Sequence, residues 1–317
     1  MAKYCFGVDV GGTTVKIGIL TLDGEFVDKW EIKTNTEDFG KNILNDICDA
    51  MMAKMAELSI GPDDIKGIGI GLPGPVLKDG TVLQCVNLGW GTFNVAEKLS
   101  EMFYNIPVYA ANDANVAGLG EAWKGGGKDY NDIVMITLGT GVGGAIIMDG
   151  DIVEGYRGAA GEIGHIHVND EEEEMCGCGR KGCLEQYTSA TGVVRLDHRL
   201  LNSSDEPSKM RDYEDTLECH HVFNLAKDGD EAALKVIDQM GECLGRAIGI
   251  IATVVNPEAF IIGGGVSKAG QFLIDHIKEN YRESTFAACG DSALHLATLG
   301  NDAGMIGAAA LVVKRSE

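Results

Sequence analysis

The chain has 317 residues, of which 44 are glycine and 6 proline, and 26 Lys+Arg against 48 Asp+Glu give a formal charge of −22. Its 45% hydrophobic and 23% charged residues are ordinary globular proportions, which exclude wholesale disorder, and roughly 150 residues per domain suggests two domains. A polyanion of this size repels nucleic-acid phosphates and anionic lipid surfaces, so any phosphate it binds must be held locally by backbone N–H groups and a cation. Nine cysteines, an odd count with one tight cluster, do not resemble a secreted disulfide framework. The opening MAKYCFGVDV reads as a strand rather than a leader. The longest apolar run, residues 245–255, is broken by Arg246 and Thr253 and falls short of a membrane span. These features predict a soluble cytoplasmic protein with neither nucleic acid nor membrane as partner.

In chain order, Tyr4–Val10 and Val15–Leu20 are β-rich runs joined by Gly-Gly-Thr-Thr, and Glu25–Lys33 follows as a third strand. Ile43, Ile47, Met51 and Met55 recur at helical spacing, which predicts a helix over Phe39–Glu57. Ile65–Gly71 reads as a buried strand stopped by Leu72-Pro-Gly-Pro75. Val95–Tyr104 is predicted helical and Pro107–Ala111 a strand running into Asn112-Asp113; Ala114–Lys124 is a further helix, ended by three glycines. The opening plan then returns, with Ile133–Thr137 and Gly144–Met148 as strands around Leu-Gly-Thr-Gly-Val-Gly, which suggests two halves that each start with a phosphate-sized hairpin. Beyond lie a loop-rich zone (Asp151–Lys181), helices between about Thr188 and Asn256, a buried strand Ala259–Ile262 ending in three glycines, and a closing helix Asn301–Lys314. The five acids Asp170–Glu174 read as a solvated loop. Mixed strands and helices with glycine tips predict a two-domain α/β fold.

Three constellations carry chemistry. In Asp9-Val-Gly-Gly-Thr-Thr-Val-Lys16, Gly11 and Gly12 let N–H groups face a phosphate, Thr13 and Thr14 add hydroxyls, and Asp9 suits a hydrated Mg2+. A plain Gly-Gly turn explains the same residues. Neither a P-loop nor a glycine-rich turn entering a helix fits, because a strand follows. The second tip, with Thr140, Gly141 and Gly143, is weak alone. Paired with the first, and with Gly264 and Gly265 opening a third cradle, it suggests a nucleotide held between two domains and resembles the sugar kinase, Hsp70 and actin superfamily. In the third, Cys176, Cys178 and Cys183 place three thiols among glycines, with His165 eleven residues upstream. Three thiolates and an imidazole complete a tetrahedral zinc shell, and four protein ligands leave no open position, so the zinc is expected to be structural.

GEIGH followed by CGCGRKGCLE resembles the pattern of the ROK family of bacterial sugar kinases and repressors, along with DVGGTTVK, NDANVAGLGE, TLGTGVGG and IIGGGVS in that order along essentially the whole chain. The resemblance is nearest to the ATP-dependent glucokinases, with the acidic insert Glu171–Glu174 and the polar stretch Asn202–Asp215 as departures. It implies an actin-like ATPase core, a small domain of residues 1–114 plus 301–317, and a large domain of residues 115–300. It also implies MgATP and glucose as substrates, homodimers or homotetramers, Asp113 as the general base, and Asn112, Glu162, His165 and Glu185 as sugar ligands. The chemistry suits these types: a carboxylate at a strand end can take a proton from an attacking hydroxyl, and carboxylates and amides bind adjacent hydroxyls. His165 would serve metal and sugar through its two ring nitrogens.

Other readings of these residues remain open. Asp113 also fits an N-cap of the helix at Ala114. His167 is an alternative metal ligand, and Trp90 fits either a sugar cleft or the core. His220-His221 reads as a surface pair, and Met51, Met52 and Met55 as helix packing. A sugar-sensing repressor would need some 60 or more residues before the first hairpin, given a domain floor of about 50 residues, where eight precede Asp9. N-acetylmannosamine, fructose and allose remain alternative substrates to glucose.

Overall fold

The computed structural model describes residues 2–316, except for the side chains of Glu214 and Asp215. Twelve strands are described: β1 (Tyr4–Val10), β2 (Thr14–Thr21), β3 (Phe26–Lys33), β4 (Ile65–Leu72), β5 (Thr81–Val82), β6 (Phe93–Asn94), β7 (Val108–Asn112), β8 (Ile133–Leu138), β9 (Val142–Met148), β10 (Asp151–Ile152), β11 (Ala259–Gly263) and β12 (Ala293–Leu296). One sheet has the order β3-β2-β1-β4-β7 and the other β10-β9-β8-β11-β12. In the first, β1 pairs antiparallel with β2 and parallel with β4, and β4 pairs parallel with β7. In the second, β11 pairs parallel with both β8 and β12, and β9 antiparallel with β10. The repeat read from the two hairpins therefore extends to whole sheets of the same plan.

The chain divides into two compact units: residues 1–131, 145–161 and 299–317, and residues 132–144 and 162–298. In the first unit, Phe6, Val8, Ile17, Ile68 and Ile70 pack with Ile47 and Met51 of the helix Ile43–Leu58. The other face of that sheet meets the helix Ala303–Arg315, which covers Cys5 and Leu20 with Ile306, Ala309 and Val312. This helix lies backbone-close to its neighbours, which accounts for part of the glycine count. A methyl group at Gly69 would overlap the Ala308 carbonyl, and one at Gly307 the Val116 carbonyl. In the second unit the helix Glu231–Val255 buries Val236, Met240, Leu244 and Ile248. No helix among the described residues is long and apolar enough to cross a membrane.

Several boundaries move. The helix expected from Phe39 starts at Ile43, because Asp38 and Phe39 take left-handed backbone angles and Phe39 is exposed. The helix expected to reach Tyr104 ends at Met102, and Tyr104 and Asn105 are again left-handed. The closing helix runs from Ala303 rather than Asn301, after a short turn at Gly300–Asp302. The short strands β5, β6, β10 and β12 and the helix Gln271–Ser284 lie outside the predicted elements.

Candidate active site

In the first unit the β1–β2 tip is closed by Gly11 N–H donating to the Thr14 carbonyl at 2.9 Å. The Thr34 hydroxyl donates to the Gly11 carbonyl at 2.7 Å and Thr34 N–H to the Thr13 carbonyl at 2.9 Å, leaving Gly12 and Thr13 exposed. Asp9 sits opposite Lys16 in the hairpin register, and burial pushes its carboxyl above the ordinary range while Lys16 opposes the shift. A methyl group at Gly304 would lie 2.6 Å from the Asp9 carboxyl, so the closing helix begins directly over it. Lys16 Nζ donates to the Asn301 carbonyl at 3.4 Å.

β7 delivers Asn112 and Asp113 at its carboxyl end, beside the ends of β1 and β4, where ligands of open α/β sheets gather. Asn112 is the N-cap of Asp113–Lys124: its Oδ1 accepts from Ala114 N–H at 3.0 Å and Asn115 N–H at 3.2 Å, and its Nδ2 donates to the Gly74 carbonyl at 3.1 Å. The capping alternative thus belongs to Asn112, not to Asp113. Asp113 accepts from the Ala114 N–H at 2.8 Å, and the Asn112 side chain also hydrogen-bonds it. Burial raises its pKa, the nearby Asp9 charge adds to the rise, and the Ala114 N–H opposes it.

In the second unit the β8–β9 tip is braced from the helix Ala190–Ser203. Ala190 N–H donates to the Gly139 carbonyl at 2.7 Å and the Thr191 hydroxyl to the Thr140 carbonyl at 2.9 Å. Val142 N–H donates to Glu185 Oε2 at 3.0 Å, and a side chain at Gly141 would collide with that carboxylate. Gly143 follows in β9. Gly264 has φ +83° and its absent Cβ would lie 2.6 Å from the Leu138 carbonyl carbon, so the turn itself requires glycine; Gly265 opens onto space. Thr140 and Gly265 line a cavity of about 780 Å³ whose other walls include Thr191, Phe223, Lys227 and Lys268. These four residues were not read from the sequence. Their only signal is helical periodicity or loop position, and neither marks a ligand.

The donor atoms of His165, Cys176, Cys178 and Cys183 all lie within 4.8 Å of one another. Cys178 Sγ is 3.6 Å from Cys183 Sγ, and Cys176 Sγ is 3.8 Å from His165 Nδ1. Ligands about 2.3 Å from a tetrahedral ion stand about 3.8 Å apart, so the spacing fits. The Arg180 backbone N–H draws the Cys178 thiol down to about 6, whereas burial raises Cys176 and pushes Cys183 to about 12. Sulfurs this close resist joint ionisation, and a soft cation is what such a set accommodates. Glu185 Oε1 lies 3.8 Å from Cys176 Sγ, and the turn Ile163–His165 follows the exposed Glu162. The structure thus gathers Glu185 and His165 at the thiol cluster and ties Glu185 to the second hairpin.

Several expectations change here. His167 lies outside the metal cluster; its ring bonds the Lys181 carbonyl at 3.0 Å and the Asp170 carboxylate at 2.8 Å. Trp90 is core, its Nε1 donating to the Gly40 carbonyl at 3.0 Å. The acidic run is not uniformly solvated: Glu172 is 5% exposed and ion-paired with Arg195 and Arg199, because the two arginines stand one helical turn apart and converge on one carboxylate. His220 is exposed and paired with Glu218 at 3.1 Å, yet it also lines the cavity.

Comparison with known proteins gives the geometry a context. The sequence matches the ROK family over residues 5–315. A glucokinase of Halalkalibacterium halodurans is 44% identical over 314 residues, covering 98% of this chain and 95% of that one. Among solved structures, a ROK family glucokinase from Streptomyces griseus, in complex with glucose and AMPPNP, is 32% identical with a TM-score of 0.74 and covers 97% of this chain and 98% of that one. A ROK family transcriptional regulator, a homolog of the E. coli MLC protein, superposes with a TM-score of 0.85 at 28% identity, covering 99% of this chain and 78% of that one. Backbone superposition ranks the regulator higher and identity ranks the kinases higher; the first reports shared fold, and identity speaks more directly to the residues of a site. The fold is the two-domain, actin-like ATPase architecture of these sugar kinases. With the match running from residue 5 to residue 315, this protein belongs to the ROK family.

Proposed function

We propose that this protein is a glucokinase that transfers the γ-phosphoryl group of ATP to the 6-hydroxyl of glucose. The observation that carries the reading is the 44% identity to a glucokinase over nearly the full length of both chains. As the sugar oxygen attacks phosphorus, its proton passes to the Asp113 carboxylate and the bond from phosphorus to the ADP oxygen breaks. Asn112 stands beside Asp113, and its amide is the type of group that can bond a sugar hydroxyl. Glu162, His165 and Glu185 take the remaining hydroxyls, with His165 using Nε2 because Nδ1 faces the sulfurs. Asp9, Gly11, Gly12, Thr13, Thr14 and Lys16 hold phosphates from one hairpin, and Thr140, Gly141 and Gly143 from the other. The cavity beside Gly264 and Gly265 takes the nucleoside.

Asp9 would hold the Mg2+ that accompanies ATP, and that ion would supply positive charge for the transferred phosphoryl group. His165, Cys176, Cys178 and Cys183 would hold a structural zinc, which would fix the His165 tautomer. The protein acts in the cytoplasm as a homodimer or homotetramer. A panel of hexoses assayed with ATP and coupled to ADP release tests the reading: glucose gives the highest kcat/KM. A clear preference for N-acetylmannosamine, fructose or allose overturns it.

A further inference from the structure

The acidic insert that precedes the metal thiols is built into the second unit. Glu172 accepts from Arg195 Nη2 at 2.6 Å, Arg199 Nη2 at 2.6 Å, Arg199 Nη1 at 3.0 Å and the Tyr187 hydroxyl at 2.5 Å. Burial alone would raise its pKa; the hydrogen bonds from Arg199, Arg195 and Tyr187 outweigh that and hold the carboxyl far below the ordinary range. Glu174 takes the outer edge of the same two guanidinium groups. Gln186 then closes the loop from behind. Its Oε1 accepts from the N–H of Cys183 at 3.1 Å, and its Nε2 donates to the Glu174 carbonyl at 3.1 Å.

The two arginines belong to the helix Ala190–Ser203, whose adjoining face supplies Thr191 and Val194 to the cavity wall. The same helix braces the second hairpin tip through Thr191. A buried carboxylate cannot part from its cations without leaving charge unpaired in a low-dielectric interior, so loop and helix must move together. We infer that Glu172 is a positioning residue that joins the metal loop to the wall of the nucleotide cavity, so that metal and nucleotide sites are energetically coupled through this helix. The inference rests on the metal and nucleotide assignments proposed above.

The test compares wild type with Glu172→Gln, which keeps the shape and removes the charge. Two readouts are taken on the full-length, zinc-loaded protein: release of zinc to a chromophoric chelator, and the dissociation constant for AMPPNP by calorimetry. Zinc release quickens about 10-fold, in the range seen when partners of metal ligands are removed. The AMPPNP Kd rises about 5-fold or more, as coupled sites require. If Glu172→Gln does not fold, Arg199→Lys keeps the charge, loses the fork, and is read in the same way. A variant in which either readout matches wild type overturns the coupling and leaves the metal assignment standing. Wild-type protein that contains no zinc overturns both.

Discussion

Asp113 carries two consequences at the scale of one residue. Burial raises its pKa, so the native state binds this proton more tightly than the unfolded chain does. The ionised carboxylate therefore costs stability at neutral pH, and that cost fades as pH falls through the raised native value toward and below the ordinary one. Asp113→Asn removes the charge and keeps the shape: turnover drops by about 10² to 10⁴, while calorimetry shows a higher Tm than wild type. Retention of more than about a tenth of turnover would take the base away from Asp113. In the wild type the acid limb of kcat/KM lies above the pH expected of an unperturbed aspartate, because the base must be ionised and its pKa is raised.

At the scale of elements, the hairpin tips differ in what a substitution touches. At Gly12 a Cβ would meet only the Asn87 Cβ, at 3.8 Å, so Gly12→Val leaves the protein fold undisturbed and intrudes on a phosphate alone. Its KM for ATP rises about 10-fold or more while the KM for glucose holds, the expected cost of blocking N–H donors at a phosphate. Gly141→Val drives into Glu185, and both KM values rise. Steady-state kinetics with each substrate varied separates the two; equal behaviour of the variants would refute the distinction. The hairpins were legible because the glycine-threonine tip between β-rich runs is a local pattern, and the metal cluster because its three thiols fall within eight residues. Glu172 was not. Its partners stand 23 and 27 residues further on, and nothing local distinguishes a paired acid from a solvated one. The cavity walls were illegible for the same reason, since Phe223 and Lys227 meet Lys268 and Thr140 only in the folded chain. Asn112 took the cap from Asp113 because its short amide offers an acceptor to two N–H groups while its own N–H reaches Gly74.

At the scale of the whole molecule, two sheets of one plan each present a glycine tip, and the metal loop belongs wholly to the second unit. Cys176 and Cys183 are almost fully enclosed, so thiolate ligation in a closed shell should exchange slowly. Brief exposure to a chelator leaves activity and zinc content unchanged, whereas unfolding in the same chelator strips the metal and blocks recovery; elemental analysis after each treatment checks this. Rapid loss of zinc from the native protein would argue against a closed shell. The helix Ala303–Arg315 covers one face of the first sheet, yet the whole run 162–298 of the second unit separates it from that sheet in sequence. β1 and β4 precede the helix that shields them by about 230 to 300 residues, so the first unit closes only when segments far apart in sequence meet. Most of the second unit is the single run 162–298, so more of its contacts are near in sequence. Until that helix docks, the Cys5 and Leu20 side of the first sheet is left uncovered.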